Sequence, residues 1–245
     1  MGTPSFIIVG AQRSGTTSLY EYICAHPEIR PAAQKELHFY DRLYRNRDLD
    51  WYEDRFPDGL TGEATPAYLF MPHAADWIAS DYPKVKIIVL LREPAARAWS
   101  HYRMMVRAER ENASFCEAIN LETERAVRHG FYSREHADIA YVDRGKYAQQ
   151  LGRYRLRFPS RNILVLQAER FFANPRQTME TVFGFLGVEN HELPQYVTRN
   201  VQLPQPMPKP CAARLGRIYT PHNEALYALI RERYDWLTDK PLMGC

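Results

Sequence analysis

Phe6-Ile7-Ile8-Val9-Gly10-Ala11-Gln12-Arg13-Ser14-Gly15-Thr16-Thr17-Ser18 is the stretch that decides the fold. Four apolar, mostly β-branched residues run into a glycine, the pattern of a buried parallel strand that ends in a turn. Over 16–25, Leu19, Tyr22 and Ile23 recur at helical spacing. Strand, glycine-bounded loop and helix start make an anion cradle, because the loop's N–H groups and the helix's positive end converge on one place. The spacing is nearly G-x-x-x-x-G-K-[ST], with Gly10, Gly15 and Thr17 in register but Thr16 where the lysine would stand. In nucleoside triphosphate enzymes that lysine reaches the β- and γ-phosphates. Here the nearest cation is Arg13, whose planar fork suits a tetrahedral oxyanion held by two parallel hydrogen bonds. On these residues alone, a glycine turn without a ligand remains the alternative. The dinucleotide pattern G-x-G-x-x-G is absent.

Working outward, apolar runs at 84–91 and 162–167 give two more strands of parallel-sheet type, and 36–40 reads as a brief strand or extended edge. Residues 63–66 form a further extended element, and the charged segment 41–54, with Tyr44, Trp51 and Tyr52, reads as ordered cover. Helices are expected at 72–82, from Pro94 onward, over 112–141, at 147–158 and at 175–186, the last closed by Gly187. The proline-rich stretch 193–210 reads as a long loop, with 214–219 and a last helix from 222 to about 234 beyond it. Arg103, Arg107 and Arg110 recur at helical spacing as a basic stripe, a solvated face or a steering surface for an anionic acceptor.

The composition bounds the function. At 245 residues and 45% hydrophobic, the chain can bury a full core, and a single domain over 1–245 is the natural count. A net charge of +3 with a pI of about 8.6 is too mild for bulk nucleic-acid binding. No apolar run reaches the length of a membrane span, and the N-terminus lacks a charged leader before an apolar stretch. Cys24, Cys116, Cys211 and Cys245 are scattered, with neither metal spacing nor a disulfide framework. A reducing cytoplasm is the expected location.

The run 10–18, followed by Lys35-Glu36-Leu37-His38-Phe39-Tyr40-Asp41, resembles the sulfotransferases that use 3′-phosphoadenosine 5′-phosphosulfate (PAPS). The branch it most resembles holds the heparan sulfate sulfotransferases and their soluble bacterial relatives. The resemblance continues through Asp50-Trp51-Tyr52, Gly62-Glu63-Ala64-Thr65-Pro66, Leu91-Arg92-Glu93-Pro94 and Arg144-Gly145-Lys146-Tyr147, with order and spacing kept. It implies a three-layer α/β fold with a mostly parallel sheet and a sulfuryl transfer from PAPS that leaves 3′-phosphoadenosine 5′-phosphate (PAP).

By that resemblance, Arg13, Ser14, Gly15, Thr16, Thr17 and Ser18 hold the 5′-phosphosulfate, and Arg92 with Ser100 holds the 3′-phosphate. Glu36 is the general base, the role a carboxylate within hydrogen-bond reach of an acceptor hydroxyl or amine can fill. His38 either orients the acceptor, shares the proton or packs at an edge. Tyr147 is a contact on the adenosine side, or a packing residue. Arg214 and Arg217 stand for a basic loop that in relatives closes over the 3′-phosphate. The chain departs from the heparan-type pattern at Ala64, where a lysine is expected, and Arg13, Lys35 or both are left to take over that charge. No metal is implied. The acceptor is expected to be a carbohydrate or another small molecule. Two rivals remain: a P-loop kinase, which should carry the missing lysine and a magnesium-holding aspartate, and a non-catalytic module that binds PAPS or PAP.

Overall fold

The apolar run at 6–10 forms β1 (Phe6–Gly10), buried at every position. In the computed structural model the described residues are 2–43, 48–193, 195–197, 199 and 205–236. Tyr44, Cys245 and part of the 193–210 stretch lie outside them. After β1 come α1 (Thr16–Cys24), β2 (Ile29–Pro31), α2 (Leu49–Glu53), β3 (Leu60–Ala64), α3 (Ala74–Asp81) and β4 (Lys86–Leu91). Next are α4 (Pro94–Arg107), α5 (Phe115–His129), α6 (Arg134–Ile139) and α7 (Tyr147–Arg157). The described chain closes with β5 (Ile163–Gln167), α8 (Ala168–Ala173), α9 (Pro175–Leu186) and α10 (Lys209–Ile230). None of the described helices is long and apolar enough to cross a membrane.

The chain forms two compact units, one of Met1–Leu91 with Leu151–Asn200 and one of Arg92–Gln150 with Val201–Cys245. The first carries a five-stranded sheet in the order β2-β3-β1-β4-β5, every neighbouring pair parallel. Parallel strands joined by crossover helices are buried on both faces, which is why β1 and β4 read as unbroken apolar runs rather than alternating ones. On one face Phe6, Ile8, Ile88 and Leu90 pack with Leu19 and Ile23 of α1 and with Met179, Val182 and Phe183 of α9. On the other, Ile7, Val9, Ile87 and Val89 are equally shut from solvent. Burying each such side chain contributes roughly 1.5–3 kcal/mol, which fixes the strand ends that carry the loops. The loops after β1, β2 and β3 all leave from the carboxyl edge of the sheet, with the strand order reversing about β1, the place where open α/β sheets bind ligands.

The second unit packs Ala95, Ala98 and Met105 of α4 with Phe115 and Ile119 of α5 and Leu215 and Tyr219 of α10. Here a disulfide joins Cys116 to Cys211, 95 residues apart. This corrects the reading of scattered, unpaired cysteines: so distant a partner leaves no trace in local spacing. Cys24 is free.

Three more expectations are corrected. Residues 36–40 are not a strand; Glu36 and His38 take left-handed backbone angles, and a π-helical turn, Phe39–Leu43, follows. The edge strand is instead β2, three residues long and ending on a proline. The expected helix at 112–141 is two, α5 and α6, separated at Gly130 with its positive φ. The last helix is one element, α10, with Pro221 inside it. A proline there forgoes one main-chain bond, and the buried residues Cys211, Leu215, Tyr219, Leu226 and Tyr227 hold the helix through it.

Candidate active site

The loop after β1 is shaped by its two glycines. A Cβ at Gly10 would lie 2.6 Å from the Leu69 Cβ, and one at Gly15 would lie 2.4 Å from the Phe172 ring. Gly15 also has φ of 98° and is the N-cap of α1, with no side chain capping the helix. The first-turn amides of α1 therefore face the loop, the arrangement that favours an anion. The Ala11 amide donates to the Leu90 carbonyl at 2.8 Å, pinning the loop to β4. Ser14 is fully buried, and its Oγ has no hydrogen-bond partner among the described residues, as also holds for Gln12 Oε1. Arg13 sits at φ of 69°, half-buried in the same turn. Thr16 is buried and Thr17 half-buried at the helix start. Ser18 is buried one residue further in, and its Oγ accepts the Arg199 amide at 2.8 Å.

The Glu36–His38 segment follows β2. Lys35 Nζ pairs with Glu36 Oε1. His38 Nε2 lies 3.5 Å from Glu36 Oε2, and its Nδ1 lies 2.9 Å from Asp41 Oδ2. Burial pushes the Glu36 carboxyl up, yet the hydrogen bond from His38 and the charge and hydrogen bond of Lys35 outweigh it and hold the carboxyl down at about 2. Burial pulls the His38 ring down, but its hydrogen bonds to Asp41 and Glu36 raise it to about 9, against the nearby charge of Arg42. At neutral pH the pair is a carboxylate beside an imidazolium. An imidazolium offers two N–H donors and no acceptor, so His38 can orient and polarise but cannot take a proton. The acidic end of this chain, Asp41, was not assigned a role from sequence. It closes the quoted motif three residues after His38, a spacing that reaches back only because the intervening residues turn as a helix.

Ala64 is fully buried at the end of β3. Beside it Glu63 is also fully buried. Burial pushes its carboxyl up, while the hydroxyls of Thr65, Tyr52 and Tyr68 and the Leu37 amide pull against that rise.

In the second unit, Arg92 is the residue that follows β4 in the chain and is half-buried. Glu93 caps α4 by accepting from the Ala95 and Ala96 amides, with Pro94 in the first turn. Ser100 is buried on the second turn of that helix. Tyr147 is buried, and its hydroxyl donates to the Arg92 carbonyl at 2.9 Å. Arg214 and Arg217 are exposed on α10, which replaces the expected loop before the helix. Of the basic stripe, Arg103 lies over Trp99 and Arg107 is exposed, while Arg110 stands beyond the helix end and pairs with Asp138.

The turn that leads into α7 is held from within. Glu122 accepts the Val142 and Asp143 amides at 2.6 and 2.8 Å, and burial with the nearby Asp143 pushes its carboxyl up to about 8. His136, Asp143 and Glu122 bring donor atoms within 4.8 Å of one another, but Lys146 already pairs with Asp143 at 2.6 Å. Lys146 takes Asp143 Oδ1 and the two amides take the Glu122 oxygens, while Asp143 Oδ2 lies 3.8 Å from His136 Nε2.

A model of the sulfotransferase domain family matches residues 3–214. Heparan sulfate glucosamine 3-O-sulfotransferase 6 of Homo sapiens is 30% identical over 261 residues, 95% of this chain and 73% of that protein. Human heparan sulfate glucosamine 3-O-sulfotransferase 3B1 is 32% identical over 190 residues, 76% of this chain and 46% of that protein. Among solved structures, a sulfotransferase from Alicyclobacillus acidocaldarius is 32% identical, with a TM-score of 0.83 over 96% of this chain and 99% of that one.

Proposed function

The chain belongs to the sulfotransferase domain family and is an enzyme of sulfuryl transfer, and from that premise we propose that its donor is PAPS and its acceptor a hydroxyl or amine of a carbohydrate or natural product. Among these a sugar hydroxyl is favoured, since the similar human proteins are glucosamine 3-O-sulfotransferases by name. The observation that carries the mechanism is the chain of side chains in which His38 stands between two carboxylates, its Nδ1 2.9 Å from Asp41 Oδ2 and its Nε2 3.5 Å from Glu36 Oε2. Of Glu36 and His38, only the carboxylate can accept a proton.

In the proposed reaction the acceptor oxygen attacks sulfur in line with the bond to the 5′-phosphate. The new O–S bond forms, the old one breaks, and PAP departs with the bonding electrons. The acceptor proton passes to Glu36. A carboxyl held at about 2 is a weak base at rest. The acceptor hydroxyl, however, becomes strongly acidic once sulfur is partly bonded, so transfer late along the path needs no stronger one. Arg13 and the α1 amides offset charge gathering on the bridging and equatorial oxygens. Arg92 and Ser100 take the 3′-phosphate, with Arg214 and Arg217 as further candidates on α10. Residues 3–214 run through both compact units, which supports reading them as one catalytic domain.

The test is to offer the purified protein PAPS with panels of oligosaccharides, phenols and amino sugars, and to read PAP release together with acceptor mass gain. Transfer to a sugar hydroxyl is expected. Tight PAP binding without transfer to any acceptor class would favour a binding module, and magnesium-dependent ATP turnover would favour a kinase.

A further inference from the structure

Glu63 is a fully buried carboxylate in the floor beneath the Glu36–His38 segment. Its Oε1 accepts from the Tyr52 and Tyr68 hydroxyls at 2.8 and 2.9 Å, and its Oε2 from the Thr65 hydroxyl at 2.5 Å. The Leu37 amide bonds to the same carboxylate. Two of these hydroxyls carry a second bond. Thr65 Oγ1 accepts the His38 amide at 3.4 Å, and Tyr68 Oη accepts the Phe39 amide at 2.9 Å. Three consecutive main-chain amides, those of Leu37, His38 and Phe39, thus end on Glu63 directly or through one hydroxyl.

We propose that Glu63 is a positioning residue for the reaction: its carboxylate sets the direction of both hydroxyl relays and thereby holds Glu36 and His38 in place. The inference rests on the assignment of Glu36 as base given above.

A hydroxyl has one proton to give. Thr65 and Tyr68 can each accept a main-chain amide only while that proton points at an acceptor, and a carboxylate is the group that accepts from every side. An amide side chain would present its own N–H to one of the hydroxyls and turn that relay around. The segment needs such restraint, because Glu36 and His38 hold φ of 63° and 54°. Non-glycine residues occupy that region at a cost and stay there only where surrounding bonds over-determine them. Without the relays the segment relaxes, and the spacing among Asp41, His38 and Glu36 goes with it. Glu63 lies too deep to touch an acceptor, so it acts through the residues above it.

The experiment compares Glu63→Gln, Thr65→Val and Thr65→Ser with the wild type. Four quantities are read: PAP affinity, kcat and KM for PAPS, thermal unfolding, and the titration of the His38 ring by NMR. That ring faces Glu36, Asp41 and Arg42. For Glu63→Gln, kcat should fall by about tenfold or more while PAP affinity and the KM for PAPS stay within about twofold. The His38 titration should drop by roughly one pH unit or more toward its ordinary value. Thr65→Val should reproduce both changes more weakly, and Thr65→Ser should restore them. If Glu63→Gln does not fold, the Thr65 pair carries the same comparison. An unmoved His38 titration would overturn the proposal, as would losses that follow unfolding temperature and PAP affinity alike without rescue by serine. Wild-type turnover in Glu36→Gln would instead remove the base assignment, and the His38 titration would still decide the role of Glu63.

Discussion

The hydroxyl of Tyr147 donates to the main-chain carbonyl of Arg92, 2.9 Å away. Tyr147, which the family resemblance offers as an adenosine-side contact or a packing residue, is buried and braces the arginine proposed for the 3′-phosphate. Replacing Arg92 by Ala should weaken PAP by roughly 10–100-fold, the worth of a charge-assisted phosphate contact, and leave adenosine 5′-phosphosulfate nearly unchanged. Tyr147→Phe should weaken PAP by about two- to fivefold, and the two losses should not add, because both act at one contact. Calorimetric titration of the single and double variants checks this. Equal losses for both ligands would remove Arg92 from the 3′-phosphate.

Glu36→Gln keeps the shape of the side chain and removes its basicity. Turnover should fall by about 10²–10⁴-fold, with PAP affinity close to that of the wild type. Arg13→Ala should cost about 10²–10³-fold in kcat through lost charge stabilisation. A PAP-release assay under saturating PAPS reads both.

The opposed shifts of Glu36 and His38 make a prediction about stability against pH. The Glu36 carboxyl is lowered from 4.5 to about 2, so its contribution is present above pH 4.5 and is lost as pH falls through 2. The His38 ring is raised from 6.5 to about 9, so its contribution is complete below pH 6.5 and is lost as pH rises through 9. The pair therefore stabilises the fold most between those two unfolded values. The difference in unfolding temperature between wild type and His38→Gln should shrink from about pH 6 to about pH 9.5. A constant difference would show that folding does not shift the ring's titration.

The Cys116–Cys211 bridge closes a long loop and ties the start of α5 to the start of α10. Cutting it by reductant, or by Cys116→Ser with Cys211→Ser, should destabilise the fold by about 2–4 kcal/mol. Urea unfolding with and without reductant measures this. The double serine variant should be insensitive to reductant.

What could be read from the chain follows the range of the interactions. β1, β4, β5 and the glycine loop announce themselves because strand burial and backbone freedom are local properties of consecutive residues. β2 did not, since three residues ending in proline carry no periodicity. The Glu36–Tyr40 stretch has the alternation of a strand, but amide bonds to Thr65 and Tyr68, from 27 to 29 residues away, bend it out of one. The reading of 214–219 as separate from a last helix starting at 222 fails because the packing of Tyr219 and Leu226 carries one helix through Pro221. Glu36 and His38 were singled out by likeness to a family, whereas Glu63 was only a letter in that likeness. Its importance lies in who bonds to it, which no spacing records.

Residue 15 is barred to every side chain twice over. Shaving back Phe172 would clear the space a methyl group needs, yet the dihedral of 98° would still exclude it; relaxing the dihedral would still drive that methyl into the ring. No single change elsewhere opens the position. For the anion proposed at this loop, changes of preference are expected in the side chains at 13, 14, 16 and 17, around a fixed pivot.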